Sequence, residues 1–179
     1  MRIARDVHGI EDAVERLFRD AFTASEGADE GDLVGGLARD LLRTTPPEDI
    51  RVFTAVEGDA LIGAGIFSRL TFSEDTRIVM LLSPMAVATE RQKWGVGQAL
   101  LTHALNALQD EGVDVAMTYG DPAYYGQVGF RPVTEAQVSA PLPLSFPHGW
   151  IGQSLTGGDL PDLKGSSTCV PALNRPDIW

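Results

Sequence analysis

A chain of 179 residues, 44% apolar and 22% charged, can fill one ordinary core and has the balance of a folded domain, not of a disordered segment. Its formal net charge of −11 repels phosphate backbones, which excludes nucleic acid as the expected partner and suits a cationic acceptor such as an amine, besides aiding solubility. No apolar run approaches the roughly 20 residues that span a bilayer, and Met1–Asp6 lacks the apolar core of a signal peptide, so no membrane partner and a cytoplasmic location are expected.

Arg2–Arg5 is short enough for an edge strand. Ile10, Val14, Leu17, Phe18, Ala21 and Phe22 then recur at helical spacing. The small and acidic stretch 23–31, with two glycines, reads as a loop, and Leu33, Val34, Leu37, Leu41 and Leu42 mark a second helix that Pro46-Pro47 ends. The β-branched and aromatic run 51–56, the turn cluster Glu57-Gly58-Asp59 and the apolar run 60–67 read as a hairpin. A third run, 77–87, is interrupted by Ser83-Pro84; proline cannot donate to a ladder, so pairing is expected to bulge or open there.

Residues 95–111 form the clearest helix, with Val96, Ala99, Leu100, Ala104, Ala107 and Leu108 in one stripe and Gly112 as C-cap. A buried strand follows over 113–119, then a short helix over 121–127 with Asp121 as N-cap and Pro122 in its first turn. Gly129-Phe130-Arg131-Pro132 begins the last clear strand. From Ser139 the chain is rich in proline, glycine and serine, yet Trp150, Ile151, Leu155, Val170 and Trp179 are too apolar for a free tail. Cys169 has no partner for an internal disulfide, and with His8, His103 and His148 widely spaced no metal is expected.

The chemistry begins at Gln92-Lys93-Trp94-Gly95-Val96-Gly97, a loop between a strand and a long helix. A helix's first turn presents unpaired N–H groups and the positive end of its dipole, and glycines let an anion approach the backbone. Gln92 and Lys93 add donors and a positive charge, so a phosphate or pyrophosphate is the expected ligand. A Walker loop is absent. A dinucleotide loop would need glycine where Leu100 stands and an acid at the end of the next strand, where Asp114 instead marks its beginning. Gln92, Gly95 and Gly97 do fit an acyl-CoA loop, Gln/Arg-x-x-Gly-x-Gly/Ala.

Three stretches carry a resemblance: Pro84-Met85-Ala86-Val87, Gln92 to Leu100, and Tyr125-Gly126-Gln127-Val128-Gly129-Phe130. Together they resemble the core of the GNAT N-acetyltransferase superfamily, and Gly120-Asp121-Pro122-Ala123-Tyr124-Tyr125-Gly126 resembles one branch of predicted bacterial acetyltransferases. The resemblance covers about residues 1–135 and implies an α/β fold with a mixed, mostly antiparallel sheet flanked by helices, splayed between the fourth and fifth strands. It divides the chain into an acyl-CoA-binding catalytic domain, 1–138, and a C-terminal extension, 139–179, packed on that domain. The extension is open to two uses, acceptor specificity or an oligomer contact such as a homodimer's.

The resemblance also implies roles. The backbone of Met85, Ala86 and Val87 would pair with pantetheine, and the amides of Gln92, Lys93, Trp94, Gly95, Val96, Gly97 and Gln98 would hold the pyrophosphate. Tyr125, four residues before Gly129, would return a proton to the leaving thiolate. Residues 77–87 hold no carboxylate base, so Glu30 or a water chain would take the amine proton. The activity implied is transfer of an acetyl group from acetyl-CoA to a primary amine of a small molecule or peptide, without a metal. The alternative is a non-catalytic acyl-CoA-binding sensor or partner-binding module.

Overall fold

The computed structural model describes residues 1–179. β1 (Arg2–Ala4) precedes α1 (Glu11–Glu26), whose Val14, Leu17, Phe18 and Ala21 are buried at the expected helical spacing. The loop expected over 23–31 does not form. α1 runs to Glu26, and α2 (Ala28–Thr44) starts after the single residue Gly27, at φ +99°. A positive φ reverses the chain in one step, which glycine does without a Cβ penalty, so the residues on either side stay helical. Asp29 and Glu30 then lie in the first turn of α2, where the dipole favours acids. Gly31 and Gly35, one turn apart, let α2 approach Thr23 and Arg19 of α1; a Cβ on Gly35 would stand 3.0 Å from Arg19 Cβ. Arg19 fastens the crossing, donating to Glu15 at 3.0 Å and to Asp32 at 3.1 Å.

β2 (Ile50–Glu57) and β3 (Ala60–Phe72) follow, the latter longer than its apolar run alone indicates, then β4 (Asp75–Val87). After α3 (Val96–Asp110) come β5 (Val115–Tyr119), α4 (Pro122–Tyr125) and the two-residue β6 (Arg131–Pro132). β6 is not the last strand: β7 (Trp150–Ser154) and β8 (Ser167–Thr168) arise from the proline- and glycine-rich segment. The buried side of α3 is also rotated from its expected stripe, for Leu101 and Leu105 are buried while Ala99 and Ala107 are half-exposed.

The hydrogen-bonded strand order is β1-β2-β3-β4-β5-β7-β6, with β8 on β3. β4 and β5 are parallel, and the β1–β2, β3–β8, β5–β7 and β6–β7 pairs are antiparallel, which makes the mixed α/β sheet that was expected. No helix is long and apolar enough to cross a membrane.

The chain forms two compact units, Met1–Phe67 with Pro84–Ala104, and Ser68–Ser83 with Leu105–Trp179. In the first, Phe18, Leu41, Phe53 and Phe67 are fully buried, and Phe53 meets Phe67 edge-on at 5.9 Å. In the second, Trp150 donates its indole N–H to Val138 O at 2.8 Å. Trp179 donates to Leu173 O at 2.8 Å and stacks on Tyr119 at 5.8 Å. Asp114 starts the parallel ladder, its Oδ2 accepting from Ile78 N at 2.7 Å and its own N–H donating to Ile78 O at 2.8 Å. That carboxylate is committed to strand pairing, which accounts for its place at the wrong end of β5 for a ribose contact.

Candidate active site

The β4–β5 ladder pairs Val79, Met80, Leu81 and Leu82 with Val115, Ala116, Met117 and Thr118. It ends there, although β4 runs on to Val87. Two local causes are visible. Pro84 has no N–H to donate. The Leu82 carbonyl accepts instead from the buried Thr118 hydroxyl at 2.9 Å, so a side chain satisfies it where the ladder ends. Beyond this point Pro84, Ala86 and Ala88 are buried, while Ser83, Met85 and Val87 are half-exposed.

The loop after β4 is built from short-range bonds. Ala88 N–H donates to Ile62 O at 2.8 Å, and a 3-10 turn over Thr89–Arg91 follows. The Gln92 amide donates back to Val87 O at 3.1 Å, so this side chain braces the loop on the strand. Lys93 then takes φ +67° and Gly95 φ +80°. Positive φ at alternate residues turns successive amides toward one side, the concave arrangement that holds anions. In front of Gly95 the space is open, for a Cβ built there would meet nothing within 4 Å. The first intrahelical bond of α3 runs from Ala99 N–H to Gly95 O at 3.0 Å, so the amides of Val96, Gly97 and Gln98 precede it. The loop therefore fits a pyrophosphate by shape and dipole. A groove of about 260 Å³ also opens in the first unit, lined in part by Arg16, Asp20, Leu61, Thr89 and Glu90. Its lining carries two carboxylates against one guanidinium, which does not favour an anion.

Tyr125, in the second unit, ends α4. Asp121 caps that helix, its Oδ1 accepting from Ala123 N at 2.9 Å as expected. The Tyr125 ring is half-buried, edge-on to Tyr124 at 5.0 Å and to Phe130 at 5.8 Å. It lies against Gly120, where a Cβ would stand 2.7 Å from Tyr125 Cε2. The turn beneath it is held by Arg131, which donates to Gly126 O at 2.9 Å, and by Gln153 of β7, which donates to Val128 O at 3.0 Å. Burial pushes the Tyr125 phenol well above its ordinary range, with the charges of Tyr124 and Asp121 adding to the shift.

Gln153, Arg131 and Thr118 were not singled out in the sequence. Gln153 has no local signal, because its partner lies 25 residues away. Arg131 and Thr118 fell inside recognised strands, where a polar residue looks like any outward-facing one. Glu30 is half-exposed in the first turn of α2. His103 is exposed on α3 and meets Phe53 edge-on at 6.3 Å, a packing contact. Cys169 is buried, which pushes its thiol up and away from nucleophilic use. No group of His, Cys, Asp and Glu side chains is placed to hold a metal ion.

A family model described as acetyltransferase (GNAT) family matches residues 11–130. This chain belongs to the GNAT family. It is 33% identical to the uncharacterized N-acetyltransferase YjhQ of Escherichia coli (strain K12) over 146 residues, 79% of this chain and 78% of that protein. The GNAT fold is shared with YhbS of Escherichia coli, a structure in complex with CoA, at a TM-score of 0.80 and 20% identity over 97% of this chain and 92% of that one. It is also shared with a GNAT acetyltransferase of Brucella melitensis in complex with acetyl-CoA, at 0.70 and 21% over 97% of each chain. An aminoglycoside acetyltransferase from an uncultured soil metagenomic sample, in complex with sisomicin, matches at 0.55 and 17% over 71% of this chain and 82% of that one. As a GNAT protein the chain is an acyl-group transferase, and the residues of its glycine loop and of the Tyr125 turn lie within the matched span.

Proposed function

We propose that the chain transfers an acetyl group from acetyl-CoA to a primary amine. The observation that carries this reading is the loop at Lys93 and Gly95, whose alternate positive φ values lead into the first turn of α3 in a member of an acetyltransferase family. The amides from Gln92 to Gln98 bind the pyrophosphate, and the backbone of Met85, Ala86 and Val87 lies along pantetheine. CoA and acetyl-CoA in the complexes of the two similar proteins support this choice of donor.

Acetyl-CoA supplies a thioester carbonyl, to which an amine nitrogen adds as the carbon–sulfur bond breaks. The remaining work is proton movement by the chain's own residues. Tyr125 gives its phenolic proton to the sulfur that leaves. A phenol carries its proton at neutral pH even at its ordinary value of about 10, and burial raises that value further. Glu30, or water, takes the proton that the amine must lose. The net charge of −11 favours approach of a cationic amine.

The test is calorimetry with acetyl-CoA, followed by thiol release with an amine panel containing sisomicin, a polyamine and a peptide N-terminus. Binding with amine-dependent thiol release is expected; no binding of acetyl-CoA overturns the reading. One observation favours a second reading, an acyl-CoA-binding sensor without turnover. The sole carboxylate of β4, Asp75, already accepts from Arg77 N and Lys164 N at 3.1 and 3.2 Å, and no other is there to act as base. Tight acetyl-CoA binding with no release across the panel would support the sensor.

A further inference from the structure

Trp94 stands between Lys93 and Gly95 and is 76% exposed, whereas Trp150 and Trp179 are buried. Its indole has one neighbour of opposite character. The Arg91 guanidinium lies 5.8 Å from the ring centroid, at cation–π distance. Arg91 is itself fixed to Glu57, donating from Nε at 3.1 Å and from Nη2 at 2.7 Å to the same carboxylate oxygen. The Gln92 brace on Val87 O and the positive φ of Lys93 and Gly95 hold the backbone on either side. A large apolar ring is thus displayed to water on a fixed support, in the loop assigned to the pyrophosphate.

Packing within the fold does not explain this display, since Trp94 is largely exposed and only Arg91 is placed over its ring. A ligand whose diphosphate lies on the amides of 92–98 carries its nucleoside on one side of that diphosphate and its pantetheine arm on the other. The arm is assigned to Met85–Val87, upstream of the loop. The purine is then the flat, π-rich group closest to the loop, and base-on-indole stacking removes from water the surface that Trp94 exposes.

We infer that the Trp94 indole is the platform on which the adenine of the acyl-CoA donor stacks, with Arg91 and Glu57 positioning the ring. Specificity for the nucleotide end of the donor then resides in this side chain, separately from the backbone amides that hold the diphosphate. The inference rests on the acyl-CoA reading given above.

The experiment compares wild type, Trp94→Ala and Trp94→Phe, each titrated by calorimetry with CoA, adenosine 3′,5′-bisphosphate and 4′-phosphopantetheine, with tryptophan emission followed in parallel. In the wild type, CoA and adenosine bisphosphate are expected to quench the exposed indole. Trp94→Ala is expected to lose that quenching and to bind CoA roughly tenfold or more weakly. Its affinity for 4′-phosphopantetheine should stay within about twofold, and Trp94→Phe should recover most of the CoA affinity. Unchanged CoA affinity in Trp94→Ala overturns the inference. So does an equal loss for CoA and phosphopantetheine, which would make Trp94 a support of the loop alone. Failure of the wild type to bind either CoA or phosphopantetheine removes the acyl-CoA reading and the inference together, and is distinct from both other results.

Discussion

Lys93 carries a side chain yet takes φ +67°, a conformation that glycine occupies at no steric cost. Strain of this kind, about 1–3 kcal/mol, persists where the surrounding structure imposes it and where a ligand uses it. In Lys93→Gly the relieved strain and the greater chain entropy of glycine offset one another to within about 1 kcal/mol. The melting temperature is therefore expected to change little, while CoA affinity falls and its dependence on salt flattens. A parallel fall of stability and affinity would show that Lys93 shapes the loop but does not meet the anion. For Tyr125→Phe, loss of the phenolic proton is expected to lower kcat by about 10- to 10⁴-fold with CoA affinity unchanged. The acid works in its protonated form, and burial raises its pKa. Activity that depends on it is present below the ordinary phenol value of about 10 and is lost only as pH rises above it. A kcat profile falling near pH 8 in the wild type and unaltered in Tyr125→Phe would assign that limb to another group.

At the scale of elements, two joints set where the strands and helices stand. Asp75 fastens the start of β4 to the segment at Lys164, accepting from two backbone amides as well as from the Arg77 guanidinium at 2.9 Å. Burial alone would raise this carboxyl, but the hydrogen bonds of Arg77 and Lys164 outweigh it and hold it below the usual range. Its contribution is present above the unfolded carboxylate value and disappears as pH falls through the lower folded value. Asp75→Ala leaves two amides without their acceptor, at an expected cost of about 2 kcal/mol at neutral pH. That cost should shrink toward zero in acid, which urea melts at neutral and low pH will measure. The other joint is the α1–α2 crossing, where Gly31 and Gly35 face Thr23 and Arg19. Gly31→Val should force the helices apart and destabilise the chain by about 1–3 kcal/mol. A denaturant midpoint equal to wild type would mean that the two helices slide at no cost.

For the molecule as a whole, Trp179 serves as a core residue. Trp179 is buried, stacks on Tyr119 and meets Trp150 edge-on at 6.0 Å. Tyr119 uses its phenol to accept from Phe146 N at 2.6 Å, so one aromatic group ties the end of β5 to two parts of the C-terminal segment. Trp179→Ala is expected to cost about 3–5 kcal/mol in equilibrium unfolding, an effect typical of a large buried side chain. A loss below about 1 kcal/mol would show that Trp179 is not held in the core in solution. Because β7 supplies Gln153 to the turn of Tyr125, the segment from Ser139 onward also bears on the proposed chemistry.

Features that depend on near neighbours are legible in the order of the residues. The period of Val14, Leu17, Phe18 and Ala21 marks α1, Asp121-Pro122 marks the cap of α4, and Gly95 and Gly97 mark the turn into α3, because each signal lies within a few residues of its effect. Pro84 likewise announced a change in pairing, and the β4–β5 ladder ends at Leu82. Features that depend on distant partners arise in the folded chain alone. β7 exists because Trp150–Ser154 pairs with Val115–Tyr119, and its glycine and polar residues show no strand period on their own. The missing loop between α1 and α2 follows from the same cause. Acidic and small residues favour a loop locally, but Gly31 and Gly35 admit α1 so closely that helix packing outweighs local propensity. The brace of Gln92 on Val87, the Thr118 hydroxyl on Leu82 and the Arg91–Glu57 pair under Trp94 are of this second kind. Each is a hydrogen bond whose geometry the folded backbone sets, and residue type alone does not specify it.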